Sequence, residues 1–133
     1  MRSSKGQSFL ALVLLIGAIV AMIGITIAIW AGSFLDSGFG YQAATQAQSV
    51  ATSGAEDALL QLDRNANFSP GTYSLAVGSS TATVTITQNS PSTNFVTVLS
   101  VGTFSNYTKK LTVVLAKNAT TSQVTVVSWQ ATQ

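Results

Sequence analysis

The sequence predicts an α+β protein in which one long N-terminal helix packs on a C-terminal antiparallel sheet. An uncharged apolar run at residues 9–31 and a strand-like alternation of apolar and polar residues from 72 to about 129 predict these two parts. Between them, residues 41–64 repeat small apolar side chains every three or four positions, as one face of a helix does. The second half of the helix is therefore expected to lie on the sheet.

The composition excludes several classes of site. The 133 residues leave room for one small domain and an anchor. The chain has no Cys and no His, which excludes disulfides, thiolate metal sites and most general-base chemistry. The net charge of +2 is too small to indicate nucleic acid as a principal partner. We therefore expect neither an enzyme nor a metal or cofactor site. Lys109, Lys110 and Lys117 are interpreted as charges that keep a sheet edge soluble, with a small patch for anionic surfaces as the alternative.

The apolar run is long enough to cross a bilayer. At about 1.5 Å per residue, residues 9–31 span about 34 Å, against a hydrocarbon core of roughly 30 Å. Arg2 and Lys5 precede the run, and the first charge after it is Asp36. Because positive residues stay in the cytoplasm, the N-terminus is expected inside and the C-terminal domain outside. A cleaved secretory signal is the alternative, but its apolar region is shorter and ends at a small-residue cleavage site.

The middle of the chain is expected to contain a helix break and then an amphipathic helix. Residues 32–40 hold three glycines, and each costs a helix about 1 kcal/mol relative to alanine. We therefore expect the break there and a second helical segment over residues 41–66. Its small side chains form a packing stripe expected to dock on the sheet or on another subunit: Ala44, Ala47, Ala51, Ala55, Ala58 and Leu62.

The acidic residues of this segment do not form a catalytic pair. Glu56 and Asp57 are adjacent and point about 100° apart on the helix. Glu56 and Asp63 share a face but lie two turns apart, about 10 Å along the axis. Glu56 and Asp63 are interpreted as solvated side chains of the exposed helix face.

Residues 67–133 are expected to form an antiparallel meander of about five short strands. The predicted strands are 72–77, 81–88, 95–104, 109–116 and 124–129. In the second of them threonines alternate with aliphatic residues, which is typical of a sheet that is covered on one face only. The packing stripe is the expected cover.

The N-terminus resembles the class III leader of type IV pilins and pseudopilins. Lys5 and Gly6 are followed by Gln7, Ser8 and then directly by the apolar helix. In that family a membrane-embedded prepilin peptidase cuts after the glycine, on the cytoplasmic side. The resemblance implies that residues 1–6 are a leader, that cleavage falls between Gly6 and Gln7, and that Gln7 is N-methylated. Residues 7–31 would then anchor the subunit in membrane lipid and later pack in the filament core against other pilin-like subunits.

The resemblance continues into the chain, with two departures. Residues 47–62 (AQSVATSGAEDALLQL) resemble the Ala-rich segment of tip-associated minor pilins, and a long helix before an antiparallel sheet is the pilin architecture. Most pilins carry Glu at the fifth residue after the cut, where this chain has Ala11, and many have a C-terminal pair of cysteines that is missing here.

The resemblance therefore implies a minor pilin or pseudopilin of a type IV pilus-like filament at the cell surface, in adhesion or secretion. The alternative is a solitary single-pass surface or adhesive domain that does not polymerise. The leader separates the two hypotheses, because a solitary anchor has no need of cleavage at Gly6.

Overall fold

A computed structural model describes residues 4–132, in two compact units that meet between Gly40 and Tyr41. One helix is followed by five strands. Their bounds are α1 Ser4–Arg64, β1 Thr72–Val77, β2 Ser80–Gln88, β3 Phe95–Phe104, β4 Tyr107–Lys117 and β5 Val124–Thr132. The predicted α+β class, with one long helix and an antiparallel sheet of five strands, is confirmed.

The sheet is a simple meander in the order β1-β2-β3-β4-β5. Each strand pairs antiparallel with the next one in the chain, so β1 and β5 are the two edges. The pairing of β4 with β5 shifts between Val114 and Leu115, where β5 carries one extra residue, Val127. β4 and β5 are longer at their ends than the alternation predicted, because ladder hydrogen bonds continue into their polar flanks.

The core of the second unit lies between α1 and one face of the sheet. The buried strand residues alternate along the three central strands, so they all point to the same side. They are Ala82, Val84 and Ile86 of β2, Val96, Val98 and Ser100 of β3, and Leu111, Val113 and Leu115 of β4. The opposite face of these strands is rich in threonine. This is the one-sided sheet that the alternation of β2 predicted.

Two glycines bring the helix and the sheet close together. A Cβ on Gly102 of β3 would collide with the backbone of Ala47 and Ala51 in α1. A Cβ on Gly54 of α1 would lie 2.8 Å from the Cβ of Ala82 in β2. Each of these positions therefore has room for hydrogen only.

The predicted helix break at residues 32–40 was wrong. These residues are helical, and α1 continues through them to Arg64. The Ser33 and Ser37 hydroxyls donate to the carbonyl oxygens of Ile29 and Ser33, at 3.3 and 2.9 Å, as serines inside a helix do. The cost of a glycine, about 1 kcal/mol, is smaller than the cost of leaving several backbone groups unpaired. What the glycine-rich stretch does mark is the boundary between the two units, just after Gly40.

Candidate membrane anchor and subunit surfaces

The first unit presents apolar side chains all around α1. Its large apolar residues between Phe9 and Phe39 are exposed over at least 51% of their surface, the value at Ile19, and over as much as 75% at Phe34. A helix that is apolar on every side requires an apolar environment, from lipid or from protein. Within residues 4–132, α1 is the one helix long and apolar enough to cross a membrane. The chain is therefore compatible with single-pass anchoring near its N-terminus.

The predicted leader and cleavage residues lie at the very start of this helix. Arg2 is outside the described residues, and so is the side chain of Lys5. Gly6, Gln7 and Ala11 are exposed on the first turns of α1, and among the described residues nothing beyond the chain neighbours and the adjacent helix backbone lies within 4 Å of a Cβ on Gly6. The helix already begins at Ser4, so the predicted cleavage position is not marked by a change of secondary structure.

The packing stripe lies against the protein's own sheet. Ala44 is half-buried. The other five members are fully buried, with no exposed surface: Ala47, Ala51, Ala55, Ala58 and Leu62. Of the two destinations expected for the stripe, the sheet or another subunit, it occupies the sheet. It is therefore not available as a surface for a partner.

Asp57 makes a contact that the sequence did not predict. It is half-buried, and its Oδ2 accepts a hydrogen bond from the Tyr73 hydroxyl of β1 at 2.8 Å. Burial, together with the hydrogen bond and the negative charge of Asp57, raises the pKa of Tyr73 above its ordinary value. The contact ties the edge strand β1 to α1. Glu56 and Asp63 are exposed, as expected.

The helix leaves the other edge of the sheet uncovered. None of the residues of β5 is buried, and Val126 and Trp129 are 46% and 44% exposed. Both pair with buried core residues of β4, Leu115 and Val113, so they lie on the same face of the sheet as the helix. An apolar strip on this face of β5 therefore remains open.

Between α1 and β5 this strip forms an open groove of about 490 Å³. The helix contributes one wall and β5 the other, with Leu115 of β4 at the base. The residues that line the groove are Glu56, Leu59, Leu60, Asp63, Leu115, Val124 and Val126. Leu60 is 61% exposed, although most of the residues that line the groove with it are apolar. The two exposed carboxylates, seven residues apart on α1, give this apolar groove an acidic rim.

The three lysines of the sheet do not form one patch. Lys109 and Lys110 lie at the start of β4, next to the turn that joins it to β3. Lys117 ends β4, where its Nζ donates to Asn67 Oδ1 at 2.7 Å. Among residues 4–132, neither Lys109 nor Lys110 forms an ion pair or a side-chain hydrogen bond. Lys109 and Lys110 therefore lie at one end of β4 and Lys117 lies at the other.

The described residues contain no group of three His, Cys, Asp or Glu side chains that could hold a metal ion. Comparisons of the chain with known protein families, with curated proteins and with solved structures find no match. Function is therefore inferred from the leader-like N-terminus, the exposed apolar helix and the open surfaces of the second unit.

Proposed function

We propose that this protein is a structural subunit, a minor pilin or pseudopilin, of a type IV pilus-like filament. In this proposal residues 7–31 hold it in the membrane, with the N-terminus in the cytoplasm, until it is assembled. The observation that carries the proposal is the sequence Lys5-Gly6-Gln7-Ser8 directly before the part of α1 that is apolar on every side. The helix-on-sheet architecture of the second unit agrees with it.

The exposed apolar helix is suited both to anchoring in the membrane and to packing in an assembled filament. Removing apolar surface from water contributes roughly 25 cal/mol per Å², and lipid or the helices of neighbouring subunits can supply that burial equally well. Gly24, Ala28 and Gly32 are spaced four residues apart, and apart from the chain neighbours and the adjacent helix backbone no atom of residues 4–132 lies within 4 Å of a Cβ built on either glycine. Small residues at this spacing let neighbouring helices approach closely in an apolar medium.

Ala11 favours a minor role over a major one. After cleavage at Gly6, the new amine of Gln7 would lie in apolar surroundings in a packed filament. The first carboxylate of the chain is Asp36, so the helix supplies no acidic partner near this amine. An uncompensated buried charge costs several kcal/mol or more, roughly 3–5 when one partner of an ion pair is removed. Repeated stacking of this subunit is therefore unfavourable, and incorporation at a tip or during initiation is the expected use.

The proposal is tested by following the leader in cells with an active prepilin peptidase. Gly6→Leu should block the size decrease that accompanies processing, while the protein still fractionates with the membrane. The matched control is Gly17→Leu, a substitution of the same kind further along the same helix, which should be processed normally. Normal processing of Gly6→Leu would contradict the predicted cleavage position. Absence of the wild-type protein from sheared surface filaments would favour the solitary anchored domain.

A further inference from the structure

We propose that copies of this protein join head to tail, with the β3–β4 hairpin of one copy seated in the groove between α1 and β5 of the next. The tip of this hairpin comprises Phe104, Ser105, Asn106 and Tyr107, with Lys109 and Lys110 directly behind it. The inference rests on the proposed function as a filament subunit and names the surfaces through which the folded units meet.

The groove has the properties of an unfilled contact surface. Leu60 of α1 and Val126 of β5 line the groove and keep 61% and 46% of their surface exposed, and Trp129, on the same face of β5, keeps 44%. Between Val124 and Thr132, β5 has neither a charged residue nor a proline, two of the devices that protect a free sheet edge from association, although it does carry the bulge at Val127. Glu56 and Asp63 have no ion-pair partner among the described residues. The groove therefore favours an occupant that is apolar at its centre and positively charged at its sides.

The hairpin tip has these two properties, apolar side chains at its end and positive charges next to them. Tyr107 is 43% exposed at the tip, and Phe104, opposite it, is half-buried. A tight turn with Ser105 at φ 52° joins the two strands, so the aromatic side chains are held on a narrow projection. Lys110 is exposed and Lys109 half-buried on the following residues of β4. Aromatic residues are enriched at the centres of protein interfaces, and flanking charges set orientation and partner choice.

The hairpin cannot fill the groove of its own chain. Tyr107 and Leu115 are both on β4, eight residues apart, and at about 3.4 Å per residue they are separated by about 27 Å. The contact must therefore join two molecules, which are then offset by about this length along the strand direction. Because the hairpin and the groove are different surfaces, a joined pair still has one free hairpin and one free groove. Further copies can therefore be added at both ends, and the series stays open. Pairing two grooves with each other would instead oppose carboxylates of like sign.

This contact complements the missing carboxylate at Ala11. A hairpin in a groove is at the low end of interface size and is weak by itself. It joins the folded units through surfaces away from the start of α1, so it does not itself require the ion pair there, while stacking of the helices stays unfavourable and limits the number of copies. A short series of copies is the expected product.

The absence of cysteine makes disulfide trapping a direct test, because every cross-link reports only the introduced positions. Leu60→Cys and Tyr107→Cys are introduced together in the full chain, and sheared filaments and membranes are oxidised and separated without reductant. The inference expects a series of dimers and higher multimers that disappears with reductant. The matched control pairs Tyr107→Cys with Thr83→Cys, an exposed position on the opposite face of β2, and should give no series.

Reversing the charges at the groove and at the hairpin is the second test of the contact. Glu56→Lys with Asp63→Lys should lower the yield of multimers about fivefold, and adding Lys109→Glu with Lys110→Glu should restore it. Dimers from Leu60→Cys alone would indicate pairing of grooves and overturn the proposal. Cross-links only to other proteins, or an undiminished yield after charge reversal, would overturn it as well.

The two proposals fail in different ways. If the protein is processed and present in filaments but no multimers form, the head-to-tail contact is wrong and the filament function stands. If it is neither processed nor present in filaments, the proposed function fails, and the inference fails with it.

Discussion

Replacing Gly54 with alanine should loosen the packing between α1 and the sheet. The added Cβ would lie 2.5 Å from Ser100 Oγ, 2.8 Å from Ala82 Cβ and 2.9 Å from Val84 Cγ2. Carbon atoms in favourable contact are about 3.5–4.0 Å apart, so three neighbours on two strands would have to move at once. Two of these neighbours belong to short side chains close to the backbone, so the helix itself must shift away.

The change in the free energy of unfolding that Gly54→Ala should cause is the difference between two opposing contributions. Inserting a methyl group into a well-packed core costs about 1–3 kcal/mol. Replacing glycine by alanine within a helix recovers up to about 1 kcal/mol. The net loss in the free energy of unfolding should therefore be about 1–2 kcal/mol for Gly54→Ala. Gly38→Ala is the matched control, because it is the same change in the same helix and the new Cβ would contact nothing described beyond the adjacent helix backbone.

Hydrogen exchange measured by mass spectrometry suits this comparison. The full-length protein is kept in non-ionic detergent, and the amides of β3, which lies directly beneath Gly54, report the opening free energy of the second unit. Gly54→Ala should lower their protection, whereas Gly38→Ala should leave it unchanged. Equal protection in Gly54→Ala and the wild type would refute the close approach between α1 and the sheet.

Three further predictions follow from buried or missing polar groups. Ser100 Oγ is fully buried and has no hydrogen-bond partner among residues 4–132, so Ser100→Ala should raise the free energy of unfolding by about 1 kcal/mol, and lower β3 amide protection would contradict this. Because the folded protein raises the pKa of Tyr73, its stability should fall as the pH rises above the tyrosine value of about 10. Tyr73→Phe should remove the loss of stability that comes from Tyr73 at high pH, as measured by thermal unfolding between about pH 8 and 11. Tyr107→Phe is the control and should lose stability with pH as the wild type does. Ala11→Glu should increase the share of the protein in sheared filaments by quantitative mass spectrometry, and dominance of the unmodified protein there would contradict the minor role.

Most of the fold could be predicted because each element has its own periodicity. The uncharged run and the three-and-four spacing of alanines predict the two parts of α1, since each pattern satisfies a helix in a different environment. The alternation in β2 and the turn residues between strands predict an antiparallel meander. These patterns depend on near neighbours in the chain, which is why they can be read locally.

The unpredicted features depend on which strand lies beneath which turn of the helix. Gly54 and Gly102 are close-approach sites only because α1 crosses β2 and β3 at those positions. The bond between Asp57 and Tyr73 joins residues 16 apart, on the helix and an edge strand. The groove exists because one helix leaves β5 uncovered, which the residue pattern of β5 alone does not show.

The glycines at residues 32–40 show a second limit of predicting structure from sequence, the weakness of single-residue helix propensities. A propensity of about 1 kcal/mol per residue is a weak preference, which the surrounding helix outweighs. The same stretch does coincide with the boundary of the two units. The glycine content predicted a break in the helix, and the structure has a continuous helix there instead.

The proposed filament role is tested most directly by the intact mass of the protein from its native membrane, in cells with an active prepilin peptidase. The expected mass is that of a chain beginning at Gln7, with or without one added methyl group. The measurement needs no variant, and it separates a processed pilin-like subunit from a simple anchored domain. A mass that still includes residues 1–6 would contradict the leader and with it the assignment to a pilus-like filament.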